Sequence, residues 1–151
     1  MEIMITDRKG IENLSLMPFE IPTALVSITD YDYTYANLKH KPQHLLQLAF
    51  DDVPVGDGFE EEGRKLSNSE ISELEKRYHS ITNKQISQII NFYNEIKDKA
   101  ELLICQCEHG QSRSAAIAAA FSEYEYGTGI EIFSNTVYKR RSSVFVDRRR
   151  I

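Results

Sequence analysis

Residues 102–126 read LLICQCEHGQSRSAAIAAAFSEYEY, and three local patterns follow one another in this segment. Leu102–Cys105 is a short, continuous apolar run, which is typical of a central strand buried on both faces of a sheet. A turn that contains Gly110 comes next, and the residues from Ser114 onward are rich in alanine, the strongest helix former. The order of strand, glycine turn and helix predicts one unit of an α/β fold.

Three further apolar segments are short, β-branched and bounded by turn-forming residues, which predicts three more strands. These segments are Ile3–Ile5, Thr23–Ile28 and His44–Phe50. Pro22 and Pro42 lie just ahead of the second and third segments, where a missing backbone N–H costs least.

Two helices are predicted between the third and fourth strands. The first begins at Ser69 with Ser67 or Asn68 as its cap. Its apolar face would carry Ile71, Leu74 and Tyr78. The second spans Asn83–Lys97 and shows the spacing of a core-facing stripe. The stripe consists of Ile86, Ile89, Ile90, Tyr93 and Ile96.

The remaining segments complete the prediction. Asp51–Lys65 combines proline, glycines and clustered acids, so we expect a mobile loop without regular elements. Gly127 and Gly129 are expected to end the helix that follows the turn with Gly110. Small residues should let that helix lie close to the sheet, namely Ala115, Ala118 and Ala119. The interleaved strands and helices predict a single-domain α/β sandwich over residues 1–151, with a central, mostly parallel sheet flanked by helices.

Composition limits the partners and the compartment. The formal net charge of −5 argues against a general nucleic-acid binder, and no apolar run approaches the roughly 18 residues of a membrane span. With only Cys105 and Cys107, a structural disulfide framework is implausible, and we expect a cytoplasmic location. Charge is uneven, because Asp57–Glu62 is acidic whereas Lys139–Arg150 is rich in basic residues.

Cys107–Ser114 has the pattern C-x5-R followed by a hydroxyl residue, between a buried strand and a helix. A turn that enters a helix N-terminus aims successive backbone N–H groups at one point, where the helix dipole adds positive potential. The same field stabilises a thiolate, so Cys107 at the lip of this loop is a candidate nucleophile near neutral pH. Arg113 supplies a planar, permanently charged fork that can hold two oxygens of a phosphoryl group.

At these residues the chain resembles the protein-tyrosine phosphatase superfamily, whose signature is H-C-x5-R-[ST], and in particular its compact, dual-specificity-like, bacterial-type members. The likeness extends in order over Thr23–Tyr126. It implies a phosphatase fold and an enzyme in which Cys107 forms a phosphocysteine, Arg113 clamps the phosphate and Ser114 steadies the leaving thiolate. The implied phosphate-binding loop consists of Glu108, His109, Gly110, Gln111, Ser112 and Arg113. The implied substrate is a phosphorylated protein or a small phosphomonoester, with no metal or cofactor.

The resemblance also implies a general acid, which in the family is an aspartate after an apolar strand. Asp51 and Asp52 both follow such a strand, and Asp52 is preferred because family members often carry the acid second in such a pair. Asp57 is a further candidate if neither residue acts. The alternative interpretation is an aspartate pair that only starts a turn.

Two residues depart from the family pattern. Gln106 stands where the family usually has histidine, which alters one support for the loop. Glu108 places a negative charge near the approach of the anion. His109 is expected to point away from the phosphate, because the backbone forms the cradle.

Other functions remain open at this stage. Cys105, Cys107 and His109 could be metal ligands, although a closed zinc site needs a fourth ligand. Gln106 favours a catalytically weak or inactive phosphate-binding module. The basic C-terminus could instead steer RNA 5′-phosphates or inositol phosphates to the same chemistry. Candidate residues for the rim of the pocket are Tyr31, Tyr33 and Tyr35.

Overall fold

The computed structural model describes residues 1–52, 60–61, 64–65, 67–126 and 145–146. The strands are β1 Glu2–Thr6, β2 Thr23–Thr29, β3 His44–Ala49, β4 Glu60–Glu61, β5 Arg64–Lys65, β6 Leu102–Gln106 and β7 Phe145–Val146. The helices are α1 Arg8–Leu14, α2 Asn68–Arg77, α3 Asn83–Ile96 and α4 Arg113–Tyr126.

The main sheet has the strand order β3-β2-β6-β1-β7. Its first four strands run parallel, and only the short β7 pairs antiparallel with β1. The predicted α/β class with a mostly parallel sheet is therefore confirmed. β6 lies in the middle of the sheet, hydrogen-bonded to β1 on one side and to β2 on the other, so the strand before Cys107 is buried as its apolar run predicts.

Side chains alternate between two apolar layers along β6. Cys105 and Cys107 belong to the larger core cluster, which includes residues of α3 and α4. Ile104 belongs to a smaller cluster with Ile11 of α1. Because successive residues of a strand point to opposite sides, the sheet has an α3–α4 face that carries the two cysteines and an α1 face that carries Ile104 and Gln106.

α4 packs closely on the sheet through small side chains. Ala115 and Ala118 are almost fully buried, and Ala119 is 8% exposed. These three residues confirm the expectation of a close helix. α4 extends to Tyr126, whereas Gly127 and Gly129 lie outside the described residues.

The sequence interpretation missed α1, which has seven residues and buries only Ile11. Its N-cap is Asp7, whose side chain accepts a hydrogen bond from the Gly10 backbone N–H at 2.7 Å. Gly10 lies so close to β1 that an added Cβ would come within 2.0 Å of Thr6 Oγ1. α1 is thus fixed against the end of β1 by a cap and by a close approach that only glycine permits.

Three details of the helices and the loop differ from the prediction. Tyr78 lies beyond the end of α2, and Ile86 and Ile90 of α3 are 41% and 52% exposed. The buried residues of α3 are Phe92, Tyr93 and Ile96. The 3.6-residue period predicts an apolar stripe along the whole of α3, but only residues in the second half of the helix are buried.

Within the predicted loop Asp51–Lys65, β4 and β5 pair antiparallel over two residues each. Elements this short leave no periodicity in the sequence. Of the two proposed caps for α2, Ser67 takes the role, because its Oγ accepts from the Glu70 N–H at 3.3 Å and Glu70 Oε1 accepts from the Ser67 N–H at 3.1 Å. No helix in the described parts of the chain is long and apolar enough to cross a membrane.

Candidate active site

The parallel strands bring four polar segments to one edge of the sheet. Ligands of α/β proteins bind outside the carboxyl ends of parallel strands, and here β1, β2, β3 and β6 all end at that edge. The residues that follow these strands are Asp7 and Arg8, Asp30, Asp51 and Asp52, and Cys107. Residues far apart in the sequence therefore meet around the C-x5-R loop.

Cys107 lies at the junction of β6 and the loop, and the residue is 2% exposed. Cys107 Sγ lies 3.1 Å from Ser114 Oγ in the first turn of α4. Ser112 caps that turn through its carbonyl, which accepts from the Ala116 N–H at 2.9 Å. Gly110 has φ 66°, a left-handed conformation that turns the loop back toward the helix. The thiol thus lies at the N-terminus of a 14-residue helix, where the dipole favours an anion.

Arg113 is 7% exposed and holds two other segments. Its Nη1 donates to Asp30 Oδ1 at 2.8 Å and to the Phe50 carbonyl at 2.8 Å. Its Nε is buried and makes no hydrogen bond. A buried guanidinium N–H without an acceptor costs free energy, and a phosphoryl oxygen would satisfy it.

The two candidate acids have different partners. The Asp51 carboxylate accepts from the backbone N–H of Tyr31 at 3.0 Å and from that of His79 at 2.8 Å. The Asp52 carboxylate instead accepts from Ser112 Oγ of the loop, at 2.8 Å. Asp51 joins loop segments to each other, whereas Asp52 is exposed and is in contact with the C-x5-R loop. Of the two aspartates, Asp52 is therefore the one that is hydrogen-bonded to the candidate site.

Beyond Asp51 the surface forms a cleft of about 560 Å³. Tyr31 and His79 stack within it, with ring centroids 3.6 Å apart. Lys84 and Gln88 of α3 also line it. Of the three tyrosines proposed for the rim, Tyr31 borders this cleft.

The Gln106 side chain is fully buried on the α1 face. Its Oε1 accepts a hydrogen bond from Ser27 Oγ of β2 at 2.5 Å, and its Nε2 has no partner. The residue before Cys107 is thus hydrogen-bonded to the neighbouring strand.

The charge of Glu108 is compensated. Arg8 Nε donates to Glu108 Oε2 at 2.7 Å, and the Arg8 backbone N–H donates to the Glu108 carbonyl at 3.3 Å. The negative charge that the sequence places in the loop therefore has a cation beside it.

The other predicted residues fall at the edge of the site or outside the described chain. His109 is exposed and Gln111 is half-buried. Asp57 and the basic residues near the C-terminus lie outside the described residues.

Cys105 is fully buried, and burial, with a smaller effect from Cys107, raises the pKa of its thiol. Cys105 therefore stays protonated near neutral pH. In the ranges with described coordinates, no three His, Cys, Asp or Glu side chains are grouped to hold a metal ion, and Cys105 and His109 share no such group with Cys107.

Sequence reasoning missed Asp30 and Arg8, which hold Arg113 and Glu108. Both follow a predicted strand within a few residues. The rule that the carboxyl ends of parallel strands share an edge is the signal that could have found them.

Comparisons of this chain with known protein families, with curated proteins and with solved structures return no match. The resemblance to the protein-tyrosine phosphatase superfamily stays a prediction from the motif.

Proposed function

We propose that this chain hydrolyses phosphate monoesters through a phosphocysteine on Cys107, as a protein phosphatase of the tyrosine or dual-specificity type. The observation that carries the proposal is the arrangement at the start of α4. Cys107 Sγ lies 3.1 Å from Ser114 Oγ, and the adjacent Arg113 presents a buried Nε without a partner. A nucleophile, a hydroxyl and a free cationic donor around one loop are what a phosphoryl group needs.

In the first step the Cys107 thiolate attacks phosphorus, and the bond from phosphorus to the ester oxygen breaks. Asp52, in its protonated form, gives its proton to the departing oxygen. Loop N–H groups and Arg113 stabilise the charge on the three equatorial oxygens. The products are the free alcohol or phenol and an S-phosphorylated Cys107.

In the second step water attacks the phosphorus of the phosphocysteine, and the Asp52 carboxylate takes the proton of that water. The phosphorus–sulfur bond breaks, which releases inorganic phosphate and the thiolate. Ser114 Oγ, at 3.1 Å, donates to the sulfur as its charge returns. Asp52 is again protonated for the next cycle. Both steps use only groups of the protein and water, so the proposed reaction needs no metal ion.

An exposed aromatic ring near the candidate acids supports a preference among substrates. Tyr31 is 51% exposed and stacks on His79 beside Asp51. We expect phosphotyrosine to be hydrolysed first and phosphoserine and phosphothreonine less well. A phosphate-binding module without turnover, and hydrolysis of RNA 5′-phosphates or inositol phosphates, are the alternatives that a substrate panel separates.

The test is hydrolysis of an aryl phosphate by the purified chain in EDTA. The wild type should turn over, and Cys107→Ser should abolish turnover, because a serine hydroxyl without a base is a far weaker nucleophile than a thiolate. Cys105→Ala is the matched control, since it removes the neighbouring thiol from the core and leaves the loop residues in place.

Turnover that survives Cys107→Ser would exclude the phosphocysteine route. Phosphate binding by calorimetry without turnover would identify the binding module instead.

A further inference from the structure

The α1 face of β6 continues into the phosphate-binding loop. Along the strand, Ile104 packs toward α1 and Gln106 bonds to Ser27, while the two cysteines pack toward α3 and α4. Glu108 follows in the same alternation, and its carboxylate meets Arg8 at the start of α1. The loop is thus contacted on its α1 side by a helix that was not predicted from the sequence.

Arg8 joins three segments with one guanidinium. Besides its bond to Glu108, its Nη2 donates to Thr29 Oγ1 at 3.0 Å and to the Thr34 carbonyl at 2.5 Å. Its Cζ lies 5.2 Å from the centre of the Tyr33 ring, within the range of a cation–π contact. The side chain is 18% exposed, so water screens these contacts only in part.

Two of these contacts, to Glu108 and to Thr29, connect Arg8 with the C-x5-R loop. Glu108 is the first residue of the loop after the nucleophile, so its position sets the start of the N–H cradle. Thr29 precedes Asp30, which holds Arg113 at 2.8 Å. Arg8 is therefore connected to both ends of the C-x5-R segment.

Arg8 is itself held in place. It is the first residue of α1, between the N-cap Asp7 and Gly10, and both neighbours fix the helix on β1. The guanidinium is also held by its bonds to Thr29 and Thr34, so its ion pair with Glu108 loses less side-chain freedom than a mobile surface pair does.

Building on the proposed function, we propose that Arg8 is a positioning residue, which acts through Glu108 to hold the C-x5-R loop in its anion-binding form and to cancel the Glu108 charge. Without Arg8, the Glu108 carboxylate would repel both the thiolate and the incoming phosphate.

The experiment compares Arg8→Met with Lys9→Met, which removes an exposed charge from the adjacent position of the same helix. Two readouts are used, and neither needs turnover. The first is the rate of Cys107 alkylation by iodoacetamide at pH 7, followed by mass spectrometry of the Cys107 peptide. The second is protection of Cys107 from alkylation by inorganic phosphate.

Arg8→Met should slow alkylation several-fold and raise the phosphate concentration for half-protection by about tenfold, as loss of one charge-assisted contact predicts. Lys9→Met should match the wild type in both. The double variant Arg8→Met/Glu108→Gln should recover part of each loss, because it removes the uncompensated carboxylate. Arg8→Lys, which keeps the charge but not the fork, should lie between wild type and Arg8→Met.

The proposal would be overturned if Arg8→Met and Lys9→Met gave the same alkylation rate and phosphate protection. It would also be overturned if the double variant recovered neither quantity relative to Arg8→Met. If Arg8→Met does not fold by circular dichroism, Arg8→Lys decides by the same comparison. A wild type that binds phosphate but does not hydrolyse it would contradict the proposed function and leave the Arg8 readouts intact.

Discussion

The two faces of β6 differ in what their polar groups contact. On the α3–α4 face, Cys107 Sγ lies 3.1 Å from the Ser114 hydroxyl, and the residue belongs to the larger apolar cluster. On the α1 face, Gln106 and Glu108 are bonded to Ser27 and Arg8 of other elements. The polar contact described for Cys107 stays within the segment from β6 to α4, whereas Gln106 and Glu108 are bonded to other elements of the fold.

Under the proposed function, the α3–α4 face carries the nucleophile and the α1 face carries groups that position the loop. A nucleophile must change its bonding partner during the reaction, so fixed contacts to its sulfur would oppose catalysis. The groups that position the loop gain from fixed contacts, because a shift of about 1 Å in a reacting geometry can cost on the order of 10²-fold in rate. We expect changes near Cys107 to alter turnover and changes on the α1 face to alter stability or loop geometry first.

Among variants that keep Cys107, the largest effect is expected at Asp52. Asp52→Asn should lower kcat by about 10²–10⁴-fold, because the departing oxygen loses its proton donor. Steady-state kinetics with an aryl phosphate measures this effect.

Asp51→Asn is the matched control for that experiment. Its carboxylate accepts two backbone N–H groups, so the amide should lower thermal stability and change kcat by less than about tenfold. The reverse ranking of the two variants would assign the acid to Asp51. Full activity in both would place the acid at a residue outside this pair.

A smaller effect is expected at Ser27 on the α1 face. Ser27→Ala leaves the buried Gln106 Oε1 without its donor, which should cost about 1–3 kcal/mol of unfolding free energy. Turnover should change by less than about threefold. Urea unfolding measures the first quantity, with the exposed Ser87→Ala as the control for removing a serine hydroxyl.

A Ser27 variant with normal stability would show that the bond to Gln106 contributes nothing net. A variant with normal stability but a large loss of kcat would instead give the α1 face a chemical role, and the distinction between the two faces would fail.

The central part of the fold was predictable because it is encoded locally. The run before Cys107 is continuously apolar, and the helix after the loop is rich in alanine. Gly110 marks the turn between them. α1 was not predictable in this way, since seven residues with one buried position leave no period to detect. The exposure of Ile86 and Ile90 depends on how far the sheet extends beneath α3, which no local pattern reports.

The candidate site was predictable only where its residues are consecutive. Cys107, Arg113 and Ser114 lie within one motif, and the first and last are in contact. The partners Asp30 and Arg8 come from other strand ends, so their roles depend on strand order. The different partners of Asp51 and Asp52 were not predictable from the sequence, which places both residues after the same strand.

The most direct test of the phosphocysteine route is to trap the intermediate. Acid quenching of the wild type during steady-state turnover of an aryl phosphate, followed by mass spectrometry, should find one phosphoryl group on Cys107. Cys105 should carry none, because its thiol is buried and protonated. Two results would contradict the proposed mechanism. One is turnover at full rate with the phosphoryl group on another residue. The other is turnover at full rate with no labelled protein, in a quench that preserves phosphocysteine standards.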